Sequence, residues 1–182
     1  EDPGDLLLRD SWGPVCKRVG KRWEFYVRDG LRVDLDENLQ MMSDSIRCLV
    51  SEGREVIYDA EHFFDGWKAN PEYAARTILE DSQAGARLVV LCDTNGGTMP
   101  AEIAELTQGA QQVLSDSGVA VGIHCHNDCD VAVANSLAAV EGGVVPVRVA
   151  VHGIGERCGN GERTSVIVNL AFKKKGYQRL RG

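Results

Sequence analysis

The chain has 182 residues, 43% of them hydrophobic and 26% charged, a balance that supports one folded domain with a sizeable core. Its formal net charge of -7 argues against a nucleic-acid surface, and no apolar run approaches the roughly 20 residues of a membrane span. The acidic opening EDPGD is the opposite of a secretory signal, and six cysteines without a CxxC pair predict reduced thiols, no disulfide and a cytoplasmic protein.

In chain order, residues 1–33 offer one predicted strand, at residues 23–27. From Leu35 and Leu39 through Met42, Ile46 and Leu49 the apolar residues fall at helical spacing, with Asp34 or Asp36 able to cap the start and Gly53 to stop the helix. Residues 55–60 (EVIYDA) read as a strand, and Asn70 with Pro71 opens a second helix ending near Ala84 and Gly85. Residues 87–92 (RLVVLC) are almost unbroken in their apolarity, the mark of a strand covered on both faces, and Cys92 reads as buried filler. Thr98 and Pro100 begin a helix reaching Ser115, residues 119–123 form another strand, and Asp128 is expected to cap a helix that ends near Gly142 and Gly143. Residues 144–151 form a further strand and residues 163–175 a last helix, whose basic run Lys173, Lys174 and Lys175 is expected on a solvated face.

The result is four consecutive βα units of roughly 30 to 35 residues each, hence a parallel sheet covered by helices, either doubly wound or closed as a barrel. Polar clusters follow four successive strands: Asp59 with Glu61, residues 93–95, His124 with His126, and residues 155–160. A (β/α)8 TIM barrel gathers all of these at one mouth, which favours that fold. Since a complete barrel takes about 250 residues, four to five βα units predict an incomplete one, the C-terminal part of a single catalytic domain spanning residues 1–182. Two open sheet edges, and the absence of an initiator methionine, then suggest a piece of a longer protein, inactive alone.

The sequence HCHND at residues 124–128 carries the most chemistry. His124 and His126 lie two apart at a strand end, so both imidazoles share a face while Cys125 points away. That arrangement offers two nitrogen ligands to a divalent metal, and the glycine-bounded loop GIGERCGN at residues 153–160 is positioned to supply more. A zinc site using Cys125 and Cys129 is disfavoured by the same alternation. Glu61 shares the parity of Asp59, so both carboxylates are expected at the mouth. Asp59 reads equally as an acid of the site and as the partner of a lysine or arginine. Within residues 155–157, an ion pair that holds the loop is the favoured role for Glu156 and Arg157.

Taken together, EVIYDAEHFFDGWKANPEYA (55–74), LCDTNGGTMP (91–100), HCHNDCDVAVAN (124–135) and GIGERCGN (153–160) resemble the catalytic barrel of the α-isopropylmalate, homocitrate and citramalate synthases, over residues 20–176. The wording of residues 58–71 is most similar to the citramalate branch. The resemblance implies a metal-dependent Claisen condensation of acetyl-CoA with a 2-oxo acid, pyruvate in that branch, followed by thioester hydrolysis. It further implies His124, His126 and Asn160 around a Mg, Mn or Zn ion, Glu61 in proton transfer or positioning, Thr94 on the 2-oxo acid carboxylate, and a homodimer in the full-length protein.

Three departures accompany the likeness. The family's strand carrying an Arg-Asp pair is missing, so a charged metal ligand is missing with it; Asp130 stands where relatives usually have glycine, and His152 where asparagine is common. The resemblance further implies a C-terminal regulatory domain, which is expected to be absent from these residues. The other readings that the residues leave open are a 2-isopropylmalate synthase, a carbon–carbon lyase of the 3-hydroxy-3-methylglutaryl-CoA type, and a non-catalytic remnant.

Overall fold

Five parallel strands build one sheet in the order β1-β2-β3-β4-β5, with no reversal of strand order anywhere along it. The computed structural model describes residues 13–21 and 23–173, together with Gly4, Leu7, Leu8, Asp10 and Ser11. The strands are β1 (Val15–Lys21), β2 (Glu55–Glu61), β3 (Leu88–Asp93), β4 (Ala120–Cys125) and the short β5 (Val147–Arg148). Between them lie helices α1 (Leu35–Ser51), α2 (Phe63–Ala69), α3 (Pro71–Gln83), α4 (Pro100–Val113) and α5 (Ala132–Glu141), with α6 (Arg163–Val168) following β5. A doubly wound sheet needs a switch point where strand order reverses; sequential order without one is the barrel pattern.

The alternation of side chains sorts this sheet into a helix-covered face and an inner face. Val89, Leu91, Val121, Ile123 and Cys125 turn outward and bury against Phe63, Phe64, Ile78 and Ile103 of the helices. Cys16, Val56 and Tyr58 turn the same way and meet Leu39, Met42 and Ile46 of α1. On the inner face Ile57, Leu88, Val90 and Cys92 form a separate cluster made of strand residues alone. Every helix therefore packs on one side, as in a barrel segment. Within that covered layer Asn38 of α1 donates to the Tyr73 hydroxyl of α3 at 2.8 Å, so neighbouring helices are also tied by a buried polar contact.

Three local expectations fail for identifiable reasons. Residues 23–27 form no strand: the aromatic side chains of Trp23, Phe25 and Tyr26 gather with His62, and the backbone enters a π-helical turn at Tyr26–Leu31. The strand of that region is β1, whose Lys17 and Lys21 fall on inner-face positions and disguise the hydrophobic alternation. The strand expected over residues 144–151 shrinks to Val147–Arg148, since Pro146 has no N–H to give to the ladder and Val151–Gly153 is already a 3-10 turn. Asp128 does not cap α5; the Asn127 side chain does the neighbouring work, accepting from Ala132 N at 3.0 Å. Helix α2 was not foreseen from the sequence. Of the basic run, Lys174 and Lys175 lie outside the described residues.

The start of α1 matches its expected cap. Asp34 has extended backbone geometry and its carboxylate accepts from Glu37 N at 2.7 Å, which satisfies one of the helix's orphan amides. Asp34→Ala is expected to lower stability by about 1 kcal/mol in denaturant unfolding, and Asp34→Asn to restore most of it, because an amide oxygen accepts the same bond. Equal losses from both substitutions would show that charge rather than capping supports this helix end.

Candidate functional site

The parallel register turns sequence spacing into a row of side chains. Asp59 is level with Val90 and Val90 with Gly122; one step of two residues further along, Lys21 is level with Glu61, Cys92 with His124 and His124 with Arg148. Residues level with one another on parallel strands share a face, so Lys21, Glu61, Cys92, His124 and Arg148 form a single inner-face layer at the C-terminal ends of the strands. Glu61 is held by Lys21 at 2.5 Å. Asp59, one layer below, is paired with both Lys17 at 2.6 Å and Arg148. Of its two expected roles, the structure shows the ion pair.

Both imidazoles lie on the expected face, with ring centroids 5.0 Å apart at 77°. His124 Nδ1 lies 3.3 Å from the carbonyl of Arg148. A carbonyl only accepts, so Nδ1 carries the proton and the lone pair sits on Nε2. His126 has a buried Nδ1 with no partner among the described residues. Burial lowers the pKa of both rings; the charge of His124 and then that of Arg157 lower His126 further, whereas the Arg148 carbonyl and Asp59 partly oppose the shift at His124. Neutral imidazoles are the form a metal requires.

Asn160 reaches this pair through the backbone. Asn127 N donates to Gly159 O at 2.9 Å and Gly161 N to Cys125 O at 3.1 Å, and these bonds flank an antiparallel bridge between His126 and Asn160. That is the non-hydrogen-bonded kind of pair, in which opposed side chains lie on one side at close approach. The Asn160 amide nitrogen donates to Ile154 O at 3.2 Å, leaving Oδ1 buried without a partner among the described residues. His124, His126 and Asn160 thus present two ring nitrogens and one amide oxygen, and the three predicted positions come together. Among the described residues no cluster of three or more His, Cys, Asp or Glu exists.

The loop that carries Asn160 is fastened by Arg157. Its guanidinium grips Asp128 through Nε at 2.7 Å and Nη2 at 2.8 Å, and Nη2 also donates to the Thr94 carbonyl at 2.5 Å. One side chain therefore joins the loops after β3, β4 and β5. The expected pair with Glu156 is only a distant contact at 4.0 Å, and Asp128 is the true partner. Two glycines make the fit: a Cβ on Gly96 would lie 2.7 Å from Asp128 Oδ2, and one on Gly159 would lie 2.1 Å from Gly153 O, both at positive φ. Asp130 and His152 also sit at positive φ, 59° and 56°. Both are backbone positions that glycine or asparagine adopts easily.

Thr94 Oγ1 accepts from His62 N at 2.7 Å, so the hydroxyl proton is left to donate elsewhere. Asp93, grouped with it in the sequence, faces the helices: it is buried, accepts from the Thr98 hydroxyl at 2.9 Å and from Asn135 at 3.3 Å, and burial raises its pKa. It anchors the loop and is no part of the mouth. Cys92 lies in the layer of His124, its thiol pushed far up by burial and by Asp59, hence inert. All six cysteines are free. Sequence reasoning missed Lys21, His62 and Arg148. His62 stacks on Tyr26 at 4.4 Å, and its backbone sets Thr94; none of the three has a spacing signal, since each acts through a partner far away in the chain.

Comparison with known proteins gives the family. The chain is 51% identical over 159 residues to the (R)-citramalate synthase of Synechocystis, covering 85% of this chain and 29% of that enzyme. It is 32% identical to 2-isopropylmalate synthase 1 of Caldanaerobacter subterraneus over 87% of its own length and 40% of the other. The chain thus spans about a third of the length of the curated relatives it matches. The HMG-CoA lyase of Brucella melitensis superposes with a TM-score of 0.79 at 18% identity, over 98% of this chain and 67% of that one, which shows the incomplete (β/α)8 barrel fold. Residues 21–179 match the HMGL-like family model, and the chain belongs to the HMGL-like family.

Proposed function

We propose that the chain carries the metal-holding and substrate-binding part of a synthase that condenses acetyl-CoA with a 2-oxo acid, pyruvate giving (R)-citramalate. The observation that carries the reading is the meeting of His124, His126 and Asn160 at the strand ends, with His124 in the layer that also holds Glu61. The 51% identity to a citramalate synthase, against 32% to a 2-isopropylmalate synthase, supports pyruvate over a longer 2-oxo acid. A cytoplasmic homodimer, with no nucleic-acid or membrane partner, belongs to the same reading; free cysteines support the compartment, and no helix of the described residues is long and apolar enough to cross a membrane.

The residues fit a divalent cation. His126 Nδ1 and Asn160 Oδ1 are buried without partners among the described residues, and His124 offers Nε2. When bound, a Mg, Mn or Zn ion would polarise the ketone of the 2-oxo acid and stabilise negative charge on its oxygen. The chain's own groups supply the rest. Thr94, its hydroxyl oxygen already accepting from His62 N, donates its proton to the 2-oxo acid carboxylate. Glu61, oriented by Lys21, takes a proton from the methyl group of acetyl-CoA, so that this carbon attacks the ketone carbon. Water then hydrolyses the thioester, releasing CoA and a carboxylate.

Grafting residues 13–173 in place of the matching segment of the Synechocystis enzyme tests the reading. A folded chimera is expected to release CoA from acetyl-CoA only when pyruvate is present, and Glu61→Gln to cut turnover on the order of 100-fold while leaving Mn2+ affinity unchanged. Cleavage of 3-hydroxy-3-methylglutaryl-CoA without condensation would assign a lyase instead, and a folded, Mn2+-binding chimera without turnover would make the chain a non-catalytic remnant.

Metal binding has its own check in the isolated 182-residue chain. His126→Ala is expected to weaken Mn2+ binding by about 100-fold or more, since it removes a ligand outright. Because both rings have lowered pKa values, they stay neutral below the ordinary histidine value; Mn2+ affinity should be flat from about pH 8 to about 6.5 and fall only at lower pH. An affinity that already declines above about pH 7 in calorimetric titrations would contradict the neutral-imidazole account.

A further inference from the structure

Among the described residues, the inner face holds more positive charge than its carboxylates neutralise. Among the described residues of its three upper layers, Lys17 (level with Ile57), Lys21 and Arg148 face only Asp59 and Glu61, three cations to two anions. Lys21 and Glu61 satisfy each other. Asp59 is shared: Lys17 reaches it at 2.6 Å while Arg148 Nη1 meets its other oxygen, so the surplus charge falls on this trio. Lys17 has a side chain 55% exposed and can turn to water, whereas Arg148 is 27% exposed and is level with His124 on the neighbouring strand.

The guanidinium is only partly used. Among the described residues Nη1 bonds Asp59, and no hydrogen bond engages Nε or Nη2. Neither of those nitrogens is among the fully buried orphans, so both are open to an incoming acceptor. A planar group with spare donors, held in place by one carboxylate and charge-balanced by none of its own, is built to take a second carboxylate. Asp59 fixes the plane, and Lys17 frees Arg148 from the need to neutralise Asp59.

We infer that Arg148 is a second carboxylate-binding group of the site, complementary to Thr94, so that the anion it favours is a dicarboxylate. Two sources share that chemistry. One is the condensation product, whose new carboxylate appears when the thioester is hydrolysed; the other is a 2-oxo acid bearing a second carboxylate. The identity of the anion rests on the condensation reading above, whereas the presence of an anion site rests on the charge tally and the unused donors alone.

Calorimetry on the 182-residue chain tests this, with Mn2+ alone and then with pyruvate, (R)-citramalate and 2-oxoglutarate added separately, each repeated without metal. Both dicarboxylates are expected to bind on the order of tenfold or more tightly than pyruvate, the worth of one charge-assisted hydrogen bond. Arg148→Gln should bring them down to the level of pyruvate with Mn2+ affinity unchanged, and Arg148→Lys should fall between, keeping charge without the planar fork. Citramalate ahead of 2-oxoglutarate assigns the site to the product's carboxylate, and the reverse order to the substrate's. Dicarboxylates no tighter than pyruvate on the unaltered chain would overturn the inference, as would Arg148→Gln and Arg148→Lys both losing Mn2+ and dicarboxylate together, the mark of a merely structural pair. If Mn2+ fails to bind while dicarboxylates still distinguish Arg148→Gln, the metal reading falls and this one stands.

Discussion

The site depends on how the loop of residues 155–161 is docked onto the end of β4. Backbone bonds from Asn127 to Gly159 and from Gly161 to Cys125 set Asn160 opposite His126, and Arg157 locks the arrangement by holding Asp128 and the Thr94 carbonyl at once. Without that docking the two histidines would still share a face, because β4 alone determines it. They would lack the amide oxygen, and Thr94 would lose its tie to the metal-side loops. The grip is a bidentate, charge-assisted one, which fixes direction as well as distance. Its exposed position makes it weak as a source of global stability and useful mainly for geometry.

Beneath the loops, the parallel register does the placing. Residues level on neighbouring strands share a face, so chemistry scattered over residues 17–148 converges without any of it being close in sequence. The cost of carrying charge on an inner strand face is met by pairing: Lys17 and Arg148 on Asp59, Lys21 on Glu61. The same pairing holds Glu61 within the layer that includes His124. The outer face of those strands is filled with apolar side chains under the helices, so the polar layer rests on a rigid floor.

Much of this was legible in the sequence where a physical period carried it. The His-x-His spacing foretold a shared face, residues 87–92 a buried strand, Asp34 a cap, and the four polar clusters a common mouth; two acids depart from that, Asp59, buried one layer below in ion pairs, and Asp93, which the same alternation turns outward once the strand's true end is known. What could not be read has a common cause. β1 hid because its inner residues are lysines whose partners lie on β2, and residues 23–27 imitated a strand because aromatic packing on His62 overrode local propensity. Arg148 and His62 gain their significance from Asp59 and Thr94, contacts of long sequence separation that no window reveals. Asp128 was misread as a helix cap because its partner, Arg157, lies in a different loop.

The central claim is that loop docking assembles the candidate metal ligands, and a double-mutant cycle on Arg157 and Asp128, read out as Mn2+ affinity, tests it most directly. The account predicts that Arg157→Gln and Asp128→Asn each weaken binding although neither is a ligand, and that the double variant is no worse than the weaker-binding single one, because both remove the same latch. Losses that add in full, or single variants that bind Mn2+ as tightly as the unaltered chain, would contradict it.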